Sequence, residues 1–159
     1  MIDLFKKMGV VLLVVLTVFV SQILAANEVN SDKVTCLAPD GETIKMPTTK
    51  LFFEYNSADG DTGVHGAFDT SSFAELCVYD PNGKQILAVK PQNQLKVLTM
   101  AGIFFESREP KHLEVSVTDH FRNFPEGKYT IRGVTFDGKG LIGAATLTHN
   151  IPKPVRGLR

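Results

Sequence analysis

Residues 124–151 read FPEGKYTIRGVTFDGKGLIGAATLTHNI, and this stretch decides the fold class. Pro125-Glu126-Gly127 is a turn signal. Behind it, Lys128 to Phe136 opens with polar and apolar residues in alternation, the period of a strand with one buried face. Asp137-Gly138-Lys139-Gly140 then supplies a second turn, and Leu141 to Ile151 returns along the first strand. The segment is therefore a β-hairpin in which Tyr129 and Ile131 face a core. Pro152 and Pro154 end the ordered region.

The same grammar extends upstream. Leu51, Phe53 and Tyr55 alternate with Phe52, Glu54 and Asn56, which predicts a strand from Lys50. Ser57 to Gly66 reads as a loop, with three glycines and two aspartates. A strand is expected over Phe73–Tyr79. Asp80-Pro81-Asn82-Gly83 follows as a tight turn, with Pro fixing φ early and Asn-Gly tolerating positive φ. Gln85 to Lys90 is its returning partner. Gln94 to Ala101 fits a short helix or a strand equally, and Ile103 to Glu106 reads as buried. Leu113, Val115 and Val117 alternate as in a strand. A helical turn through Thr118 to Phe124 also fits, since Leu113, Val117, Phe121 and Phe124 recur at spacings of four, four and three.

Short strands, frequent turns and no long helix after the first 26 residues point to an all-β sandwich. Its expected bounds are residues 50–152. Residues 27–49 are polar and turn-rich, with one short strand around Lys33–Leu37 and then a linker. Residues 153–159 form a basic tail, Lys153, Arg156 and Arg159, of the kind that frays into solvent. No internal repeat or low-complexity segment interrupts the chain.

Residues 1–26 read as a cleaved secretion signal. Lys6 and Lys7 precede an apolar run from Met8 to Val20, Ser21 and Gln22 break it, and Leu24-Ala25-Ala26 offers small residues before Asn27. The rival reading is an uncleaved anchor, since Met8–Ala26 approaches the roughly 20 residues that cross a bilayer. Either way the remaining chain is expected outside the cytoplasm, secreted or periplasmic. Removing 26 of 159 residues leaves 133, one ordinary domain. Deducting Lys6, Lys7 and Asp3 from 17 basic and 17 acidic side chains leaves 15 and 16, a net charge of −1. That balance lacks the concentrated positive field nucleic-acid partners need. Cys36 and Cys77 are an even pair, and in an oxidising compartment they are disulfide candidates; two unpaired, partly buried thiols are the alternative.

From Lys50 to Pro152 the chain resembles small secreted bacterial proteins with an immunoglobulin-like or fibronectin type III-like β-sandwich. The pieces that carry the resemblance are Glu54-Tyr55-Asn56 leading into Asp59-Gly60-Asp61-Thr62-Gly63, Asp80-Pro81-Asn82-Gly83-Lys84, Phe104-Phe105-Glu106-Ser107 and Phe124-Pro125-Glu126-Gly127-Lys128-Tyr129. These are turns and strand starts, so the resemblance implies a fold and export, and no activity. Tyr129 resembles the tyrosine corner of such sandwiches, whose hydroxyl bonds back to upstream backbone; otherwise its ring simply packs. The sequence departs from antibody-type domains in having no tryptophan and in carrying Ile131 where the cysteine two after that tyrosine would stand.

Candidate chemistry concentrates after Tyr55. Glu54, Asn56, Asp59, Asp61 and Asp69 put five oxygen-bearing side chains within sixteen residues, beside glycines that let carbonyls turn inward. Calcium takes six to eight oxygen ligands, so Asn56, Asp59, Asp61 and Asp69 are the candidate calcium set. The spacing is not an EF-hand: the sixth and twelfth positions from Asp59 are Val64 and Thr70. A solvated turn, with aspartates capping their own backbone, is the alternative. His65, His112, His120 and His149 show no metal-ligand spacing. No Gly-x-Ser-x-Gly or P-loop is present, and Gly138-Lys139-Gly140 belongs to a turn. The expectation is a noncatalytic exported module, without a cofactor, that binds a protein or glycan of the cell envelope. The competing expectation is a small metal-binding protein or enzyme using the Asp59–Asp69 loop.

Overall fold

The computed structural model describes Cys36 and residues 41–151. The expected signal segment, the basic tail and, apart from Cys36, the strand expected around Lys33–Leu37 lie outside the described residues; Cys36 itself, at φ 36°, is not part of a strand. Within them the chain is mostly β and forms two sheets. Strands β1 (Thr43–Lys45), β4 (Glu75–Tyr79), β5 (Gln85–Val89), β7 (Gly127–Val134) and β8 (Gly140–Leu147) form one sheet in the order β1-β8-β7-β4-β5. Strands β2 (Thr48–Asn56), β3 (Asp61–Phe73) and β6 (Met100–Glu106) form the other in the order β2-β3-β6. Helix α1 (Asn93–Leu98) lies between β5 and β6, and helix α2 (Val117–Asn123) between β6 and β7.

The β7–β8 hairpin anchors the larger sheet. Gly127 pairs with Leu147 and Val134 with Gly140, in unbroken antiparallel register. Period-two alternation sends Tyr129 and Ile131 to one face, where both are fully buried, while Lys128 and Arg132 stay in solvent. Leu141 and Leu147 from β8 and Leu76 and Val78 from β4 join them. Leu51, Val64, Phe68 and Phe73 enter the same core from the smaller sheet. Burial of such a side chain stabilises the fold by about 1.5–3 kcal/mol each. The Tyr129 hydroxyl donates a 3.0 Å hydrogen bond to the carbonyl of Pro125. Burial, with the charge of Asp80 adding to it, pushes the phenol up to about 12, so it remains a donor at any working pH.

Cys36 and Cys77 form a disulfide with Cα atoms 5.8 Å apart, fastening residue 36 to β4. The segment expected as a linker before Lys50 is instead part of the fold. Thr43–Lys45 pairs in parallel with Gly140–Ile142, and Met46 is buried in the core. Three residues give no readable period, so this strand is specified by its distant partner and not by its own pattern.

Four other expectations change. The loop expected at Ser57–Gly66 is only a short turn, because β3 begins at Asp61 and pairs at once with Asn56. Gly63 and Gly66 sit inside the strand, where their missing side chains admit neighbours. A Cβ at 66 would run into the ring of Phe105, and one at 63 would lie 2.7 Å from Cγ of Glu109. The strand expected at Phe73–Tyr79 divides at Ala74, where the chain leaves the smaller sheet for the larger; Ala74 N–H donates to the Val134 carbonyl at 2.7 Å. Gln94–Ala101 is helix and strand in turn, α1 to Leu98 and β6 from Met100, with Thr99 at φ 62° between them. The strand alternative over Leu113–Val117 gives way to the helical one, realised as α2 from Val117 to Asn123. The backbone turns at Lys111–Val115, Ser116 caps α2 by accepting the Asp119 N–H, and Leu113 is fully exposed.

Candidate functional site

The outer face of the three-stranded sheet carries the most chemically specific cluster in the described residues. Register builds it. On β2, Phe52 and Glu54 point away from the core side of Leu51 and Phe53. On β3, His65 lies directly opposite Phe52, and on its other side opposite Glu106 of β6. Phe104, two residues before Glu106, shares this face. Glu109 returns just after β6 and lies across the bare position of Gly63.

These placements enclose His65, which is 6% exposed although it sits on an outward face. The Phe52 ring stacks on it at 5.4 Å, and the Phe104 ring meets it edge-on at 6.0 Å. Its Nε2 lies 3.2 Å from Glu54 Oε2 and 3.3 Å from Glu109 Oε1. All three donor atoms fall within 4.8 Å of one another. Two carboxylates and one imidazole can hold a proton between them or a divalent cation. Phe52 and Phe104 remain 44% and 66% exposed, so the cluster is framed by apolar surface open to a partner.

The expected calcium set does not assemble. Asp61 opens β3 and Asp69 pairs with Thr48 at the other end of the β2–β3 hairpin. Eight positions at about 3.3 Å each separate them by about 26 Å. Asn56 and Asp59 are occupied by the turn itself. Asn56 Oδ1 accepts from the Ala58 and Asp59 N–H groups at 3.2 Å each, and its amide donates to Asp59 Oδ2 at 2.6 Å. Lys111 binds Asp61 Oδ2 at 3.0 Å and the Asp59 carbonyl at 2.9 Å, placing an ammonium where the cation was expected. The hydrogen bond to Asp61 and the surrounding carboxylates raise the Lys111 pKa, so that charge persists.

The other histidines serve separate places. His112 stacks on Tyr55 at 5.1 Å, and its Nε2 meets the Thr62 hydroxyl at 2.9 Å. His149 stacks on Phe121 at 4.0 Å, and its Nε2–H donates to the Phe124 carbonyl at 2.8 Å. His120 in α2 is buried and its Nε2 has no hydrogen-bond partner. Burial lowers its pKa, nearby His112 lowers it further, and Asp119 opposes both, so the ring is harder to protonate than a free imidazole.

Glu54, His65 and Glu109 were absent from the sequence-derived set as a group. Reading residues 57–60 as a hairpin turn would have placed Glu54 opposite Gly63 and diagonal to His65. Glu109 arrives from 44 residues beyond His65, and nothing local announces it. The chain matches no protein-family model, and no curated protein matches it. Among the described residues no helix is long and apolar enough to cross a membrane.

Proposed function

We propose that the protein is an exported, noncatalytic module with an immunoglobulin-like or fibronectin type III-like sandwich, which binds a protein, glycan or other envelope component. The outer face of the β2-β3-β6 sheet is its contact surface. Support for the sandwich type comes from strand order: three strands face a sheet in which β5, β4, β7 and β8 are consecutive neighbours and β1 joins β8 in parallel. The Tyr129–Pro125 hydrogen bond at the entry to β7 agrees with a tyrosine corner. Support for export comes from the basic start and apolar run of residues 1–26, and the Cys36–Cys77 disulfide suits an oxidising compartment.

One observation carries the choice of surface: Phe52 and Phe104 stand exposed on either side of an enclosed histidine, beside Glu54, Glu106 and Glu109. Apolar rings with carboxylates at their rim suit a partner with apolar surface and hydroxyl or basic groups. Envelope extracts passed over immobilised protein test this. A component retained by the wild type and released by Phe104→Asp with Phe52→Ser is the expected result. Equal retention by the variant, with its fold intact by circular dichroism, would move the contact surface elsewhere.

A further inference from the structure

We propose that Glu54, His65 and Glu109 together hold one divalent transition-metal ion, for which zinc is the best match. The site shares Glu54 and Glu109 with the proposed contact surface but does not rest on that surface docking anything, and it differs from the calcium set expected at Asp59–Asp69.

Three observations carry it. First, the donor spacing suits a metal. Ligands bound at about 2.0–2.1 Å around a tetrahedral ion lie about 3.3–3.4 Å apart. The distances from His65 Nε2 to the two carboxylate oxygens are 3.2 and 3.3 Å. A charge-assisted hydrogen bond would draw one of them to about 2.7–2.9 Å, and a single N–H cannot point at both. Second, the donor chemistry selects the ion. Imidazole suits zinc and its neighbours, whereas calcium and magnesium prefer all-oxygen shells. Third, the site is built. His65 is enclosed by the rings of Phe52 and Phe104, which fix the orientation of its imidazole. Glu109 reaches it through the space left bare at Gly63, where a Cβ would lie 2.7 Å from its Cγ and Oε1. Three protein donors leave a fourth position for water or for an oxygen or nitrogen of a partner.

Zinc titrated into the purified, disulfide-bonded protein by calorimetry should bind at one site per chain. Cobalt(II) in its place should develop the visible absorption of a four-coordinate ion. Loss of outer partners alone weakens metal sites about 10–100-fold, so His65→Ala should lose on the order of 100-fold or more, and Glu54→Gln and Glu109→Gln at least about tenfold each. Gly63→Ala, which removes no donor but displaces Glu109, should weaken zinc as well. His112→Ala should bind as the wild type does. Absence of zinc binding, full affinity in the His65 variant, or tighter binding of calcium than of zinc would overturn the proposal. If His65→Ala does not fold, the two glutamine variants decide, because Glu54 and Glu109 both reach solvent; unchanged affinity in both would overturn it equally. Envelope retention is measured apart from zinc, so failure of one leaves the other standing.

Discussion

Among the described residues the β7–β8 and β2–β3 hairpins carry the longest antiparallel registers, and they divide the labour of the fold. In β7–β8 the inward residues Tyr129, Ile131, Leu141 and Leu147 are buried, and Lys128, Thr130 and Arg132 face outward, with Ile142 of β8 the one large apolar side chain exposed there. On its outer face the Arg132 guanidinium lies over the Tyr79 ring at 5.7 Å. In β2–β3 the inward residues Leu51, Val64 and Phe68 do the same structural work, but the outward ones include Phe52, Glu54 and His65. The first hairpin keeps its aromatic and titratable side chains apart: Tyr129 is buried within the core, and Lys128 and Arg132 lie outside in solvent. The second brings them together outward, exposing large apolar rings and enclosing a titratable group. Such local violations concentrate where a protein does something besides fold.

The largest effect that could break this comparison is a contrast between the two faces of the smaller sheet. Phe68 of β3 is fully buried, so Phe68→Ala should destabilise by about 3–5 kcal/mol. Phe104 on the outer face should change stability by no more than about 0.5 kcal/mol on truncation. Chemical denaturation of both variants measures the two numbers. Comparable losses would mean that the outer rings are structural, and the face would lose its claim to be a contact surface.

Next in size is the tie between residue 36 and β4. The bridged residues are 41 positions apart, and in the chain-entropy model closing such a loop stabilises by about 3–4 kcal/mol. Cys36→Ser with Cys77→Ser should lower the unfolding free energy by that order, and free-thiol titration of the unreduced wild type should find none. Titratable thiols in the wild type would remove the bridge from the account.

The contrast between the hairpins also explains what could be read in advance. The β7–β8 pair was legible because its turn signals fall between strands and β7 opens in strict alternation. The β2–β3 pair was half legible. Asp59, Gly60 and Asp61 do mark a turn, yet Gly63 and Gly66 extended the loop reading six residues too far. Those glycines answer to Glu109 and Phe105, contacts that come from distant sequence. A strand glycine required by a neighbour and a loop glycine look alike in one dimension. That misreading carried the candidate site with it, since a long loop would have gathered Asp59, Asp61 and Asp69, while a strand spreads them out. Strand β1 was missed for a related reason, because its parallel partner is almost a hundred residues away.

A smaller effect sharpens the structural side of the comparison. Tyr129→Phe keeps the ring in the core and removes only the hydroxyl that donates to Pro125. The loss should be about 0.5–1.5 kcal/mol, the net worth of one hydrogen bond, with the Pro125 carbonyl left to find another donor. A loss near zero would reduce Tyr129 to a packing residue.

The smallest expected effect is local and depends on pH. His120 sits in α2, which packs against β3, and its pKa is lowered from 6.5, first by burial and then by the charge of His112, with Asp119 opposing. The unfolded chain therefore binds the His120 proton more readily than the folded one. The stabilising difference is fully present above the unfolded value of 6.5 and is lost as pH falls below it towards the depressed folded value. The buried Nε2 has no hydrogen-bond partner that would welcome the added charge. The melting temperature should accordingly decline as pH drops below 6.5, well before the carboxylates of Asp119 and Asp137 protonate, since both of those are held below 3.8. His120→Gln should flatten that first decline and leave the later one unchanged. Amide exchange should locate the early loss in α2 and the adjoining end of β3, with β7–β8 still protected. An identical acid profile in the variant, or simultaneous loss of protection in both hairpins, would show that His120 does not set the acid sensitivity of the β2–β3 side.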